Sequence, residues 1–168
     1  MDNGSTDGSQ DLIFERFKSV RLLSLGNNVG FARAVNLGVE TSRSAFVAIL
    51  NNDVEVARDW LTRLLVVFST DPTIAAATGK LLFKHRPDIV NDLGGTIMLN
   101  GGGFHREIGA PNRTFETTLV GVPSGAACVV RRLAFLATGG FDPVYFAYFE
   151  DVDLGWRLWL RGWKVACV

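Results

Sequence analysis

The chain has 168 residues and a mass of 18.3 kDa, enough for one domain with a sizeable core and short for two. Its 17 Lys and Arg residues balance 17 Asp and Glu residues, so the basic excess of a nucleic-acid binder is absent and no polyanion partner is implied. Hydrophobic residues make up 48% and charged ones 20%, too apolar for a disordered chain. The longest apolar stretches, Phe46 to Leu50, Leu64 to Phe68 and Ala126 to Val130, fall well short of the roughly 20 residues that span a bilayer.

From the start of the chain, Met1 leads straight into Asp2-Asn3-Gly4-Ser5, and a secretory signal is not expected from this start. Ser9 or Asp7 is placed to cap a short helix carrying Leu12, Ile13 and Phe17 on one face, and Val20 to Leu25 reads as a strand. Gly30 to Glu40 has Phe31, Ala34, Val35 and Gly38 at helical spacing and precedes the apolar strand Phe46 to Leu50, which makes a strand-helix-strand unit. Asp59 is placed to cap a helix from Trp60 to Ser69 with Leu61, Leu64, Leu65 and Phe68 as its apolar stripe, and Asp71-Pro72 stops it. Ile74 to Phe83 then reads as a strand.

Residues 84 to 120 differ, because Pro87, Pro111, Gly94-Gly95 and Gly101 to Gly103 interrupt every period. A loop-rich excursion with short hairpins is expected there, and long irregular segments inside a domain are usually functional. Regular structure returns with a strand at Ala126 to Val130, a helix at Arg132 to Ala137 and a break at Gly139-Gly140. A helix from Glu150 to Arg161 ends at Gly162, and Trp163 to Val168 begins another strand. Cys128 and Cys167 read as buried free thiols of a reducing compartment, which makes the cytoplasm the expected location. The alternation predicts an α/β domain with a largely parallel sheet, whose ligands bind beyond the carboxyl ends of the strands.

Three polar runs occupy such positions. Asp2 to Ser9 is a turn of small polar residues opening a helix; it can offer N–H groups and carboxylates to a nucleotide, or serve only as a cap with Asx-turns. Asn51-Asn52-Asp53 follows a strand, where one carboxylate can hold a hard divalent cation or simply close an Asn-rich turn. Glu150, Asp151 and Asp153 open a helix, where acids are favoured by the macrodipole, and Asp153 can pair with Arg157. The aromatic run Tyr145-Phe146-Ala147-Tyr148-Phe149 before them equally suits carboxyls raised toward the range of a general base. His85 and His105 have no partners at ligand spacing and neither is assigned to metal. No nucleophile elbow, P-loop or CxxC motif occurs.

Taken in order, these segments resemble the family-two inverting glycosyltransferases of the GT-A fold. The resemblance runs through DNGSTDGS at Asp2 to Ser9, GNNVGFARAVNLGV at Gly26 to Val39 and LNNDVEV at Leu50 to Val56. It continues with PSGAACVVRR at Pro123 to Arg132, GGFDPVYFAYFEDVDLGWRL at Gly139 to Leu158 and RGWKV at Arg161 to Val165. The resemblance implies that Asp2 recognises the base of a nucleotide-sugar donor, with Asn28, Gly30, Asn36 and Asn52 also on the donor. It implies that Asp53 is the last acid of the family's DXD-type motif, binding Mg²⁺ or Mn²⁺ on the donor diphosphate, with Asn51 in place of the first acid. Asp151 matches the catalytic base, Glu150 supports it or touches the acceptor, and Ser124, Gly125 and Ala126 shape the sugar pocket.

The versions LNNDVEV and GNNVGFARAVN look like the rhamnosyltransferase-like branch, which implies dTDP-rhamnose or a UDP-hexose as donor and a glycan or glycolipid as acceptor. A lipid-linked acceptor would bring the chain to the inner face of the membrane as a peripheral protein. The Gln-x-x-Arg-Trp motif of processive synthases is missing, so a single-sugar transferase is implied. Family members carry an apolar strand before the Asp-Asn-Gly-Ser turn and continue past the position of Val168. Residues 1–168 are therefore expected to be a Rossmann-like catalytic domain, mostly parallel, without its first strand and C-terminal part, of reduced stability and poor activity. The alternatives are a module that binds a nucleotide-sugar without turnover, and a sugar nucleotidyltransferase, whose Gly-rich triphosphate loop is not seen here.

Overall fold

All helices but the first follow their apolar periods in the computed structural model, which describes residues 1–168. The first has Gly8 at its N-cap without a side-chain cap and buries no residue. The helices span Ser9–Arg16 (α1), Phe31–Thr41 (α2), Trp60–Thr70 (α3), Arg132–Thr138 (α4) and Glu150–Leu160 (α5). The strands are Phe46–Leu50 (β1), Ile74–Thr78 (β2), Leu81–Phe83 (β3), Arg86–Asp92 (β4), Gly95–Ile97 (β5), Gly103–His105 (β6), Thr118–Val120 (β7), Ala127–Arg131 (β8) and Lys164–Cys167 (β9). α4 ends on Gly139 in the left-handed region at φ 96°, a conformation that only glycine adopts cheaply. No helix is long and apolar enough to cross a membrane.

The central sheet has five strands in the order β1-β8-β2-β9-β7. β2 and β9 pair parallel, whereas β1 with β8, β2 with β8, and β7 with β9 pair antiparallel. The expected largely parallel sheet is thus corrected to a mixed one. β1, β2 and β9 share a direction, but β8 returns from the long excursion between β2 and β8 and enters from the opposite end, between β1 and β2. β1 has β8 as its one partner and forms an edge of the sheet.

Side chains alternate across the sheet as the two-residue period requires. Ala77, Val129 and Ala166 face α3 and pack with Leu64, Val67 and Phe68. Ala76, Cys128, Val130, Val165 and Cys167 face the other way, against Val39 of α2, Phe135 of α4, and Leu154 and Leu158 of α5. Both cysteines are free and buried, as the sequence suggested.

Four local expectations need correction. Val20 to Leu25 makes one bridge, between Ser24 and Asp2, because a single residue runs beside it before the chain turns away. Asp59 precedes α3 without capping it, since its carboxylate pairs with Arg63 at 2.6 Å. Leu61 stays exposed while Val67 takes its place in the core. The strand predicted over Ile74 to Phe83 divides at Gly79-Lys80, where the chain leaves the central sheet and β3 pairs with β4. The excursion that follows is more ordered than its composition suggests: β5 and β6 form a hairpin, and β7 joins the central sheet.

Candidate active site

The carboxyl end of β1, the approach to β8 and the start of α5 converge on one side of the sheet. Asn51 N–H donates to Ala126 C=O at 2.9 Å, joining the end of β1 to the segment before β8. Ser124 is buried and Gly125 stands against the first turn of α5. The Gly125 N–H donates to Asp151 Oδ2 at 2.9 Å. A Cβ on Gly125 would lie 3.1 Å from that oxygen and 3.2 Å from Glu150 Oε1, so glycine lets the backbone serve the carboxylate directly.

Glu150 and Asp151 reach this position through strained backbone. Tyr148 and Phe149, immediately before α5, have φ of 70° and 67°, a region that costs a non-glycine residue roughly 1–2 kcal/mol. Such strain concentrates at functional sites. Burial pushes the Asp151 carboxyl above its ordinary value; the Gly125 and Val152 N–H groups counter this, the charge of Asp92 adds to it and His105 opposes it. Burial likewise raises Glu150, whose Oε2 is buried without a hydrogen-bond partner. Asp153 pairs instead with Arg157, which also donates to Thr138 C=O at 2.8 Å and Gly140 C=O at 2.7 Å, tying α5 to the end of α4. Of the three acids at this helix start, two belong to the site and one to the fold.

The amino-terminal turn is built as a latch. Asp2 is buried and accepts from Ser5 N–H at 3.2 Å, Gln10 Nε2 at 2.7 Å and Ser24 Oγ at 3.1 Å. Hydrogen bonds, from Ser5 first, hold its carboxyl below the ordinary value. Asn28 Oδ1 accepts from Asn3 Nδ2 and from Gly30 N–H, both at 2.9 Å. Gly30 has φ 88°, and its position sets Phe31 N–H on Phe146 C=O at 2.7 Å. Asn36, which the resemblance puts on the donor, is held by Phe141. Its Nδ2 donates to Phe141 C=O at 2.7 Å and its Oδ1 accepts from Phe141 N–H at 2.9 Å, so both polar ends are spent bracing the segment between α4 and α5.

Two cavities meet here. One, of about 570 Å³, is lined by Ser124, Gly125, Tyr148, Glu150 and Asp151. The other, of about 940 Å³, is lined by Asp2, Asn3, Asn28 and Asn52 and extends along the free edge of β1. Phe31, Asn51 and Ala147 border both. Two residues of the smaller cavity carried no sequence signal as a pair: Asp92, at the end of β4, and His105, on β6. They lie in the excursion that glycine and proline spacing marked as irregular, and only the hairpin pairing brings them together.

Asp53 lies exposed in the turn after β1. No three Asp, Glu, His or Cys side chains converge as a self-sufficient metal site. One carboxylate with a neighbouring Asn oxygen still suits Mg²⁺ or Mn²⁺, ions that take one or two protein carboxylates and complete their shell from substrate phosphates.

Solved structures share this architecture. The structure of GalNAc-T7 with UDP, GalNAc and Mn²⁺ superposes with a TM-score of 0.74 at 16% identity, covering 96% of this chain and 33% of that one. The mannosyltransferase PcManGT from Pyrobaculum calidifontis, in complex with GDP-Man and Mn²⁺, gives 0.67 at 16% identity over 99% of this chain and 46% of that one. The fold is therefore the GT-A fold. In sequence, the chain is 35% identical to an N-acetylglucosaminyl-diphospho-decaprenol L-rhamnosyltransferase of Mycobacterium tuberculosis, over 96% of this chain and 60% of that protein. It is 26% identical to a poly-beta-1,6-N-acetyl-D-glucosamine synthase of Staphylococcus aureus, over 98% of this chain and 39% of that protein. The chain thus spans little more than half of these relatives at most. The model of glycosyl transferase family 2 matches residues 1–135, the greater part of the chain, and it is to this family that the chain belongs.

Proposed function

We propose that this chain carries the donor site and general base of an inverting glycosyltransferase that moves a sugar from a nucleoside-diphosphate donor to a hydroxyl of a glycan or lipid-linked glycan. The observation that carries this reading is the Asp151 carboxylate, oriented by the Gly125 N–H at 2.9 Å, raised by burial and lining a cavity of about 570 Å³. A base is most useful when its pKa is drawn toward the working pH and its proton-accepting oxygen is held in place.

In this reading the nucleoside lies in the larger cavity by Asp2, Asn28 and Asn52, with Gly30 shaping its wall through Phe146. The diphosphate crosses at Asn51, and the sugar enters the smaller cavity by Ser124 and Gly125. Asp151 takes the proton of the acceptor hydroxyl while that oxygen attacks the anomeric carbon from the face opposite the diphosphate. The bond from the anomeric carbon to the diphosphate oxygen breaks, the configuration inverts, and the nucleoside diphosphate leaves with the bonding electron pair. Glu150 supports the base or meets the acceptor. Asp53 and Asn51 would hold Mg²⁺ or Mn²⁺, which when bound offsets charge growing on the leaving diphosphate. The mycobacterial relative, named for rhamnose transfer to a decaprenol-linked acceptor, favours dTDP-rhamnose over a UDP-hexose as donor. It also favours a lipid-linked acceptor met at the inner face of the membrane.

The test is a thermal melt with Mn²⁺ and each of dTDP, UDP and GDP, for the parent and for Asp53→Ala. At about 100 times Kd a ligand adds about 2.7 kcal/mol, or about 5–10 °C for a chain of this size. A rise with one nucleotide, dependent on Mn²⁺ and lost in Asp53→Ala, is expected. No rise with any nucleotide would overturn the reading.

A further inference from the structure

The excursion between β2 and β8 brings a third carboxylate, beside Glu150 and Asp151, into the reaction cavity under conditions that a purely structural aspartate avoids. The Asp92 side chain is 3% exposed, and its Oδ1 has no hydrogen-bond partner. Asp2, buried to a similar degree, is by contrast met by three donors, from Ser5, Gln10 and Ser24. The polar group facing Asp92 is Nδ1 of His105, 3.3 Å from Oδ1, on a side chain that is 61% exposed. Burying a carboxylate without donors is costly.

The placement is rigid. Gly95 pairs with His105 across the β5–β6 hairpin, while Leu93 N–H donates to Arg106 C=O and Arg106 N–H to Gly94 C=O. β6 also rests on α5, closely enough that a Cβ on Gly103 would come within 2.5 Å of Val152 Cγ2. Asp92 and His105 are therefore fixed against the helix that carries Asp151, and all three line one cavity with Ser124 and Glu150. A phosphate is the wrong complement for a buried carboxylate whose Oδ1 makes no hydrogen bond. The right one is a neutral donor of hydrogen bonds with several groups on a ring.

We propose that Asp92 and His105 form a sugar-hydroxyl clamp, in which the Asp92 carboxylate accepts from a ring hydroxyl that does not react and His105 closes over the same ring at the cavity mouth. This rests on the transferase reading of the cavity. Asp92 and His105 are positioning residues that select a sugar, acting beside Asp151.

The test uses calorimetric titration of the 168-residue chain in Mn²⁺ with dTDP, UDP, dTDP-L-rhamnose, UDP-N-acetylglucosamine and an N-acetylglucosamine glycoside. Asp92→Asn is expected to keep nucleoside-diphosphate affinity within about twofold and to weaken a sugar-bearing ligand about tenfold or more, the loss of one charged hydrogen bond. Loss confined to the nucleotide-sugars places the clamp on the donor sugar; loss confined to the glycoside places it on the acceptor. His105→Gln, at an exposed side chain that leaves the core untouched, is expected to show the same selective loss to a smaller degree. Unchanged sugar affinities in both variants would overturn the clamp while nucleotide binding kept the transferase reading intact. A parent that binds no nucleotide would overturn both.

Discussion

Two glycines with left-handed backbones give a direct test of how the donor side of the site is held. Gly30 sits at φ 88°, ψ 157°, a region essentially closed to other residues and worth of order 1–3 kcal/mol. A Cβ there would stand 2.7 Å from Phe146 O and 2.8 Å from Phe146 Cδ2. That carbonyl is pinned by the Phe31 N–H at 2.7 Å, so it cannot withdraw without giving up its hydrogen bond, and the overlap adds about 1–3 kcal/mol. Gly26 has φ 74° with nothing within 4 Å of its Cβ position, so only the roughly 1–2 kcal/mol of left-handed strain applies. Gly30→Ala is therefore expected to cost about 2–6 kcal/mol and Gly26→Ala about 1–2 kcal/mol. In urea denaturation followed by circular dichroism, the midpoints should separate clearly with equal slopes. In a melt the losses should be about 10 °C or more against about 4 °C. Because Phe146 lines the larger cavity, Gly30→Ala should also weaken nucleotide binding, while Gly26→Ala should leave it unchanged. Equal losses in the two variants would refute the claim that contact with Phe146, beyond backbone conformation alone, demands glycine at position 30.

The remaining predictions concern the base, the brace and the thiols. Since burial raises the Asp151 carboxyl in the folded chain above its ordinary 3.8, its contribution to stability is fully present below that value. It is lost as pH rises through the raised one. Asp151→Asn should therefore melt above the parent near neutral pH and level with it at about pH 3, while turnover falls by about 10²-fold or more; a variant less stable near neutrality would contradict this. Asn36→Ala removes both hydrogen bonds to Phe141 and should cost about 2–3 kcal/mol in urea denaturation with little change in nucleotide Kd, whereas selective loss of nucleotide binding would return Asn36 to the donor site. Burial pushes the Cys128 thiol up to about 12 and Cys167 to about 11, so a thiol reagent should label neither in the native chain and both in denaturant. Rapid native labelling of Cys128 would remove it from the centre of the sheet.

Much of the site was legible because it lies in contiguous runs. Asp2 to Ser9, Asn51 to Asp53 and Glu150-Asp151 each follow or precede an element whose period is written in the neighbouring residues. Glu150-Asp151 separated from Asp153 only in the structure: all three suit a helix start, but Gly125 approaches one side of the turn and Arg157 the other. Asn36 reads as a ligand in its motif, and only the structure shows both of its polar ends meeting Phe141, 105 positions away. Asp92 and His105 left no trace as a pair, since Asp92 ends β4, His105 ends a strand of three residues too short to display a period, and only the hairpin between them brings the two together.

By itself the sequence determined the helices, the strands with long apolar runs, the turn chemistry at their ends and the acids carried by those turns. Each of these rests on interactions within about one turn or one strand, where a few neighbouring residues settle the backbone. The tertiary structure alone decided that β8 lies antiparallel between β1 and β2 and that the excursion folds onto α5. It also decided that Asp92 lines the cavity of Asp151 with His105 Nδ1 beside it and no hydrogen bond to its Oδ1. Those outcomes depend on which distant strands pair, and pairing is chosen by the burial of whole faces, a property that no local stretch of sequence contains.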